Sequence, residues 1–183
     1  MSNFENTIMI NTDRLMIGIF TPDDTYKLAA YRNLRDVALY QSWEQFTLAD
    51  AEKLIQSLRS ADPFALNQWY QLAIRIKQTG ELIGDIGVRR FSNGPSKDAE
   101  IGFSLDPSFQ KQGYMREALQ SLIAWFAAPP NPVRRVVASV DPRNTNCLAL
   151  LTALHFEQEA HHRQSYWFKG EWADDMIYVR RCE

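Results

Sequence analysis

Hydrophobic and polar positions change period several times along this chain, and each change predicts an element. Arg14 to Phe20 reads as a first strand, and Thr21-Pro22-Asp23-Asp24 as a helix start, with Thr21 as N-cap and Pro22 at the first helical position. Residues 23 to 62 read as two helices with a break near Ser42 to Thr47. Thr47-Leu-Ala-Asp50 has the spacing of a capping box, with Asp in place of Glu, and Pro63 ends the block. From Trp69 to Lys77 the pattern alternates, so Tyr70, Leu72, Ile74 and Ile76 share one face of a half-buried strand. A turn at Gln78-Thr79-Gly80-Glu81, a strand from Leu82 to Phe91, a loop at Ser92 to Ser96 and a strand from Ala99 to Leu105 complete an antiparallel meander.

Beyond it, Met115, Ala118, Leu119, Leu122, Ile123 and Phe126 recur at helical spacing, and Pro129-Pro130-Asn131-Pro132 stops that helix. Arg135 to Val140 is a short β-branched strand. Reached through a helical crossover, it is expected to lie parallel to Ala99–Leu105 with a right-handed connection. Asn144 to Leu154 forms a second amphipathic helix. Strands near Arg163–Phe168 and Asp175–Arg180 follow, joined by a turn at Lys169-Gly170-Glu171. The order βααβββαβαββ predicts an α+β fold: a mostly antiparallel sheet with one parallel pair in its middle. If that pair splays at its C-terminal ends, a cleft opens beside the start of the crossover helix.

Composition narrows the function classes. With 183 residues, 45% hydrophobic and 23% charged, the chain is expected to form a single domain over residues 1–183 with a full core. A net charge of −2 argues against a broad nucleic-acid or membrane surface. Cys147 and Cys182 have neither metal-ligand spacing nor a disulfide framework. Residues 1–7 lack a basic-then-apolar leader pattern, and no apolar run reaches membrane-spanning length, so a cytoplasmic protein is expected.

The most informative stretch runs from Glu100 to Leu119: a strand, a polar turn around Gly113, then a helix start. The first turn of a helix leaves backbone N–H groups without partners and carries partial positive charge, which together make a ready anion site. Gly113 lets the backbone approach the anion, and Lys111 and Arg116 flank it. Neither G-x-x-x-x-G-K-S/T nor G-x-G-x-x-G occurs in the chain. Gln110-x-x-Gly113-x-Met115 instead resembles the Q/R-x-x-G-x-G/A signature of the GNAT superfamily of N-acetyltransferases. Ala99-Glu-Ile-Gly-Phe-Ser-Leu-Asp-Pro and Arg116-Glu-Ala-Leu are similar to its RimJ/RimL-like branch. Thr12-Asp-Arg-Leu, Ile83-Gly-Asp-Ile-Gly and Gly170-Glu-Trp-Ala-Asp…Tyr178 extend the likeness, so it covers nearly the whole chain.

The resemblance implies the GNAT-type sheet with helices on both faces and acetyl-CoA as acyl donor substrate, without a metal. It implies that Phe103, Ser104, Leu105, Gln110, Lys111, Gln112, Gly113, Tyr114, Met115, Arg116 and Asn144 hold the donor. Met115 stands where the family usually has a small residue. The acceptor it implies is an amine, either a protein N-terminus or a small molecule, and the assembly a monomer or homodimer.

Acetyl transfer needs a base for the ammonium and a proton for the departing thiolate. Glu100 shares a strand face with Gly102 and Ser104 and is the first candidate base; an exposed surface carboxylate is the alternative. Asn144 either caps its helix or, as the family implies, contacts the pantetheine arm or the substrate. Cys147 stands where the RimJ/RimL-like pattern has Ser, and Leu151 where many GNAT enzymes have an acidic Tyr. Cys147 is therefore a candidate proton donor, or a small core residue. His155 replaces a Gly of the family pattern, which predicts a local backbone change. His161 and His162 read as a surface loop, with a base or pocket-lining role as the alternative. Trp43, Phe46 and Trp69 are candidates to line the acceptor side, with core packing, the commoner role of aromatic residues, as the alternative; the family resemblance implies that the segment from Tyr40 to Thr47 shapes specificity. The expected activity is direct acetyl transfer in a ternary complex. The rival reading is a non-catalytic coenzyme A-binding module.

Overall fold

A single eight-stranded sheet organises the chain, with strands in the order β1-β2-β3-β4-β5-β6-β8-β7. The computed structural model describes residues 8–93, 96–129 and 132–182. The first strand expected from the sequence is Leu15–Gly18 (β2), and it pairs with a two-residue strand, Ile10–Asn11 (β1), too short to show a period. Pro22–Asp24 forms a 3-10 turn whose start is held by Asp24, which accepts from the Thr21 N–H at 2.6 Å. Three helices follow rather than two: Thr25–Arg32 (α1), the single turn Arg35–Ala38 (α2) and Leu48–Leu58 (α3). At α3 the expected capping box forms: the Asp50 N–H donates to Thr47 Oγ1 and the Thr47 N–H to Asp50 Oδ2, at 3.2 and 2.8 Å.

The meander is Trp69–Ile76 (β3), Leu82–Asn93 (β4) and Ser96–Leu105 (β5), all antiparallel. Both arms of the last hairpin run further than their apolar alternation. Gly94 and Pro95 of the expected loop lie outside the described residues, as do Pro130, Asn131 and the expected leader-free segment 1–7. Tyr114–Ala127 (α4), Arg135–Val140 (β6) and Thr145–Ala153 (α5) match the pattern closely. The final hairpin is longer than expected, Glu157–Phe168 (β7) and Glu171–Arg181 (β8). Strand β7 is an edge strand and is exposed over most of its length, so its first half carries no apolar alternation to read. His161 and His162 therefore sit within a strand, not in a loop before one.

Helices cover both faces. On β4, Asp85 is bound by Tyr31 and Arg32 of α1. Arg90, five residues on and so on the opposite face, lies over the Phe64 ring, which stacks on Trp125 of α4 at 6.0 Å. Arg180 of β8 lies on the α4 side and donates to Leu154 O at 2.6 Å, which brings the end of α5 to that face as well. The core between α4 and the sheet includes Leu119, Leu122, Phe126, Ile86, Ala99 and Val136, all fully buried.

The parallel pair β5–β6 spans only three registers, Asp98↔Arg135, Ala99↔Val136 and Glu100↔Val137. Past Glu100, β5 stays bonded to β4 out to Leu105, and past Val137, β6 stays bonded to β8 out to Val140. The two strands thus splay, and the gap between them is the cleft.

His155 takes the left-handed conformation, φ 60°, at the C-terminal end of α5. Glycine holds that conformation without a Cβ clash, and a side chain there costs about 1 kcal/mol. His155→Gly should therefore raise the melting temperature by roughly 2–4 °C for a chain of this size, measured by calorimetry.

Candidate active site

The loop between β5 and α4 has the geometry of an anion cradle. Lys111 and Gly113 both adopt positive φ, 59° and 80°. The first helical bond runs from the Glu117 N–H to Gly113 O at 3.0 Å. The N–H groups of Tyr114, Met115 and Arg116 precede it and have no intrahelical acceptor. A Cβ on Gly113 would sit 3.4 Å from Arg14 Nη2.

Arg14 belongs to the Thr12-Asp-Arg-Leu stretch, which carried no site role in the sequence pattern. It donates from Nε to Glu117 Oε2 at 2.6 Å and from Nη1 to Gln112 O at 3.0 Å, and its guanidinium lies 4.4 Å from the Tyr114 ring centre. The cation thereby ties the start of β2 to the cradle. Gln110 and Gln112 brace the loop from within, through Leu105 O at 3.1 Å and Ser108 O at 3.0 Å. Met115 turns its bulk into the core and is buried, so it leaves the cradle open. Lys111 and Arg116 are exposed beside it.

Glu100 stands at the apex of the splay, at the last paired register of β5 and β6. It faces Arg89 across the β4–β5 pair and is ion-paired with it; both of the Arg89 bonds go to Oε2, the Nε bond at 3.0 Å. Beyond Glu100 on the same face comes Gly102, where an added Cβ would meet nothing within 4 Å, so the face there is open. Ser104 follows, its Oγ buried and without a hydrogen-bond partner among the described residues. On β6 that face carries Val137 and then Ser139, which donates to Asp175 Oδ1 on β8 at 2.6 Å.

Three segments meet over this face. The Phe103 carbonyl accepts from Gln41 Nε2 at 3.3 Å, the Arg143 carbonyl from the Tyr40 hydroxyl at 3.2 Å, and the Ala38 carbonyl from Lys169 Nζ at 2.6 Å. The end of α2 and the residues after it thus form a strap from β5 to the start of α5 and the β7–β8 turn. Trp43 and Phe46 pack beneath it around the Arg32 guanidinium, at 4.7 and 4.8 Å, and Trp43 Nε1 donates to Arg32 O. Trp69 is exposed beside Arg89.

On the donor side, Asn144 caps α5: its Oδ1 accepts from the Cys147 N–H at 3.2 Å. Burial pushes the Cys147 thiol up to about 12, so it stays protonated throughout the working pH range. Leu151, one turn on, is fully buried and apolar. His161 binds Asp174 at 2.7 Å through Nε2. Among the described residues no group of His, Cys, Asp and Glu side chains is arranged to hold a metal ion, and no helix is long and apolar enough to cross a membrane.

Residues 14–157 match the acetyltransferase (GNAT) domain family. An uncharacterized N-acetyltransferase p20 from Bacillus licheniformis is 30% identical over 168 residues, which is 91% of this chain and 92% of that protein. The [ribosomal protein uS5]-alanine N-acetyltransferase of Escherichia coli K12 is 25% identical over 177 residues, 93% of this chain and 89% of that one. The solved structure of RimL, a ribosomal L7/L12 alpha-N-protein acetyltransferase in complex with coenzyme A, superposes with a TM-score of 0.81 at 22% identity, over 95% of this chain and 98% of that chain. The cradle at Gly113, the splayed pair and the match over most of the sequence agree: this chain belongs to the acetyltransferase (GNAT) domain family.

Proposed function

We propose that the protein is an acetyl-CoA-dependent N-acetyltransferase that passes the acetyl group to a primary amine by direct attack in a ternary complex. The observation that carries this is the cradle at Gly113 opening onto a splayed strand pair. A pyrophosphate on the free N–H groups of Tyr114, Met115 and Arg116 would send the pantetheine arm along the α4 and α5 side, past Asn144, into the gap. The acceptor would enter from the other face, under the strap at Tyr40 and Gln41. RimL bound to coenzyme A supports the donor, and the uS5-alanine enzyme supports a protein N-terminus as acceptor and a cytoplasmic setting. A small-molecule amine fits the same chemistry.

In this reading Glu100 accepts the acceptor's proton, directly or through a water, at the oxygen that Arg89 leaves free. Nitrogen then attacks the thioester carbon, the C–N bond forms and the C–S bond breaks. Cys147 contributes an S–H hydrogen bond to the departing sulfur but not its proton. A thiol at about 12 would give a proton to an ordinary alkyl thiolate, about 8.5, only uphill, by about 5 kcal/mol. The sulfur instead takes the proton that the nitrogen sheds as the tetrahedral intermediate collapses.

The donor reading is tested by Gly113→Asp, which adds a side chain at a positive-φ position and a negative charge against the pyrophosphate. Coenzyme A affinity by calorimetry should fall by well over tenfold, more than about 1.4 kcal/mol; unchanged affinity in a folded variant moves the site elsewhere. For Glu100→Gln, kcat should drop by about 10²-fold while coenzyme A affinity holds. A wild-type pH–rate profile would take Glu100 out of the mechanism. Cys147→Ala should lower kcat only by roughly two- to tenfold, the worth of one weak hydrogen bond, and Cys147→Ser should recover most of it.

A further inference from the structure

We infer that Asp175 receives the acceptor's ammonium, and that the acceptor carries a single positive charge at its reacting end. This assignment rests on the acetyl-transfer reading above and names the group that meets the amine. It starts from strand register. Glu100 pairs with Val137, Ser139 lies two residues further out on β6, and Ser139↔Ile177 on β8 brings Asp175 to the same face one step beyond. The Ser139 hydroxyl then fixes the Asp175 carboxylate through Oδ1 at 2.6 Å. The opposite lip, on β5, offers open space at Gly102 and the unpartnered, buried Oγ of Ser104. An amine nitrogen held between these lips faces the gap through which the donor arrives.

Charge selects Asp175 from the other carboxylates at the splay. Glu100 is neutralised by Arg89. Asp141, just past the end of β6, is held by Arg143, and so is Glu171 at the hairpin turn. Asp174 is bound to His161. Among the described residues no Lys, Arg or His forms an ion pair within 4 Å of the Asp175 carboxylate, whose cross-strand neighbour on β7 is His162, so of this group Asp175 alone has no ion pair. Tyr166 on β7 is part of the same cluster: burial first, then the charges of Asp141 and Asp175, raise its hydroxyl above the ordinary range.

Beside the strap, a cavity of about 540 Å³ presents Arg35 and Lys169 against Glu44 alone. Lys169 of that lining lies in the turn of the hairpin that carries Asp175, so an acceptor entering under the strap would meet one carboxylate without an ion pair and a net positive wall, which suits an amine with one cation, such as the α-ammonium of a protein N-terminus. A polyamine would meet repulsion at its second nitrogen, because like charges a few ångströms apart in a partly desolvated site are costly.

The test uses the full chain, coenzyme A, a hexapeptide with a free N-terminal alanine and no other cation, and spermidine. Wild-type protein should acetylate the peptide with a KM at least about tenfold below that for spermidine. Asp175→Asn should raise the peptide KM about tenfold or more, leave kcat within about threefold, and leave coenzyme A affinity unchanged. Asp175→Glu keeps the charge and should stay within about threefold of the wild-type KM, a rescue that a structural role would not give. Calorimetric titration of peptide into the coenzyme A-loaded protein reads the same loss without turnover. If coenzyme A itself fails to bind, the donor reading falls. If coenzyme A binds, and either Asp175→Asn leaves peptide KM and affinity unchanged or the loaded wild-type protein neither binds nor acetylates the peptide, the assignment to Asp175 is overturned while the donor reading stands. A lower KM for spermidine than for the peptide overturns the single-charge class.

Discussion

Everything that makes this molecule a candidate catalyst depends on a parallel pair that holds for three registers and then lets go. Strand β5 keeps its ladder to β4 and β6 keeps its ladder to β8, so opening the gap sacrifices bonds along one edge only. Each such bond is worth about 0.5–1.5 kcal/mol net, a loss that the rest of a continuous eight-stranded sheet absorbs. The closed end of the pair is pinned by Asp98, fully buried and bound by Arg135 at 2.9 Å from its own register partner. The open end is held apart from outside by the strap at Tyr40 and Gln41. A wedge-shaped gap in the middle of a sheet gives two reactants separate entrances and one meeting point, and proximity of that kind carries much of the rate in a direct transfer.

Charge is distributed around that gap with the same economy. Carboxylates that serve the fold are neutralised: Asp85 by Arg32 in the core, Asp24 by Arg75, Asp106 by Lys27 and Asp141 by Arg143. A buried carboxylate without a partner would be strongly destabilising, and these pairs let the helices α1 and α5 meet the sheet through polar contacts. The donor cradle is ordered by Arg14 bound to Glu117, which leaves the helix N–H groups themselves free for a ligand. Of the carboxylates at the splay, Asp175 is the one without an ion pair among the described residues.

Much of this was legible in the residues. The periods at Trp69–Lys77 and Met115–Phe126 gave the meander and the crossover helix, and Gln110 to Arg116 gave the cradle, because helix starts and turn glycines are local features. The parallel pair followed from handedness once α4 was in place. Legibility failed where the signal is not local. Edge strand β7 is polar from Glu157 to His162, so nothing in its pattern announced a strand. Arg14 and Asp175 look like any surface ion until the sheet register brings Arg14 to Gln112 and Asp175 to Ser139. Trp43 and Phe46 were candidates for the cleft although aromatic residues are more often core, and only their stacking on Arg32 shows what they touch. His155 was expected to alter the backbone. Instead it occupies the left-handed conformation a glycine would take.

The central claim is that the β5–α4 cradle grips the donor through backbone amides. Residue-resolved hydrogen exchange with and without coenzyme A tests it most directly. At saturating coenzyme A, the amides of Gly113, Tyr114, Met115 and Arg116 should slow by about tenfold or more, while those of the β7–β8 hairpin stay as they were. Binding of coenzyme A that leaves these four amides exchanging at their free rate would contradict the account.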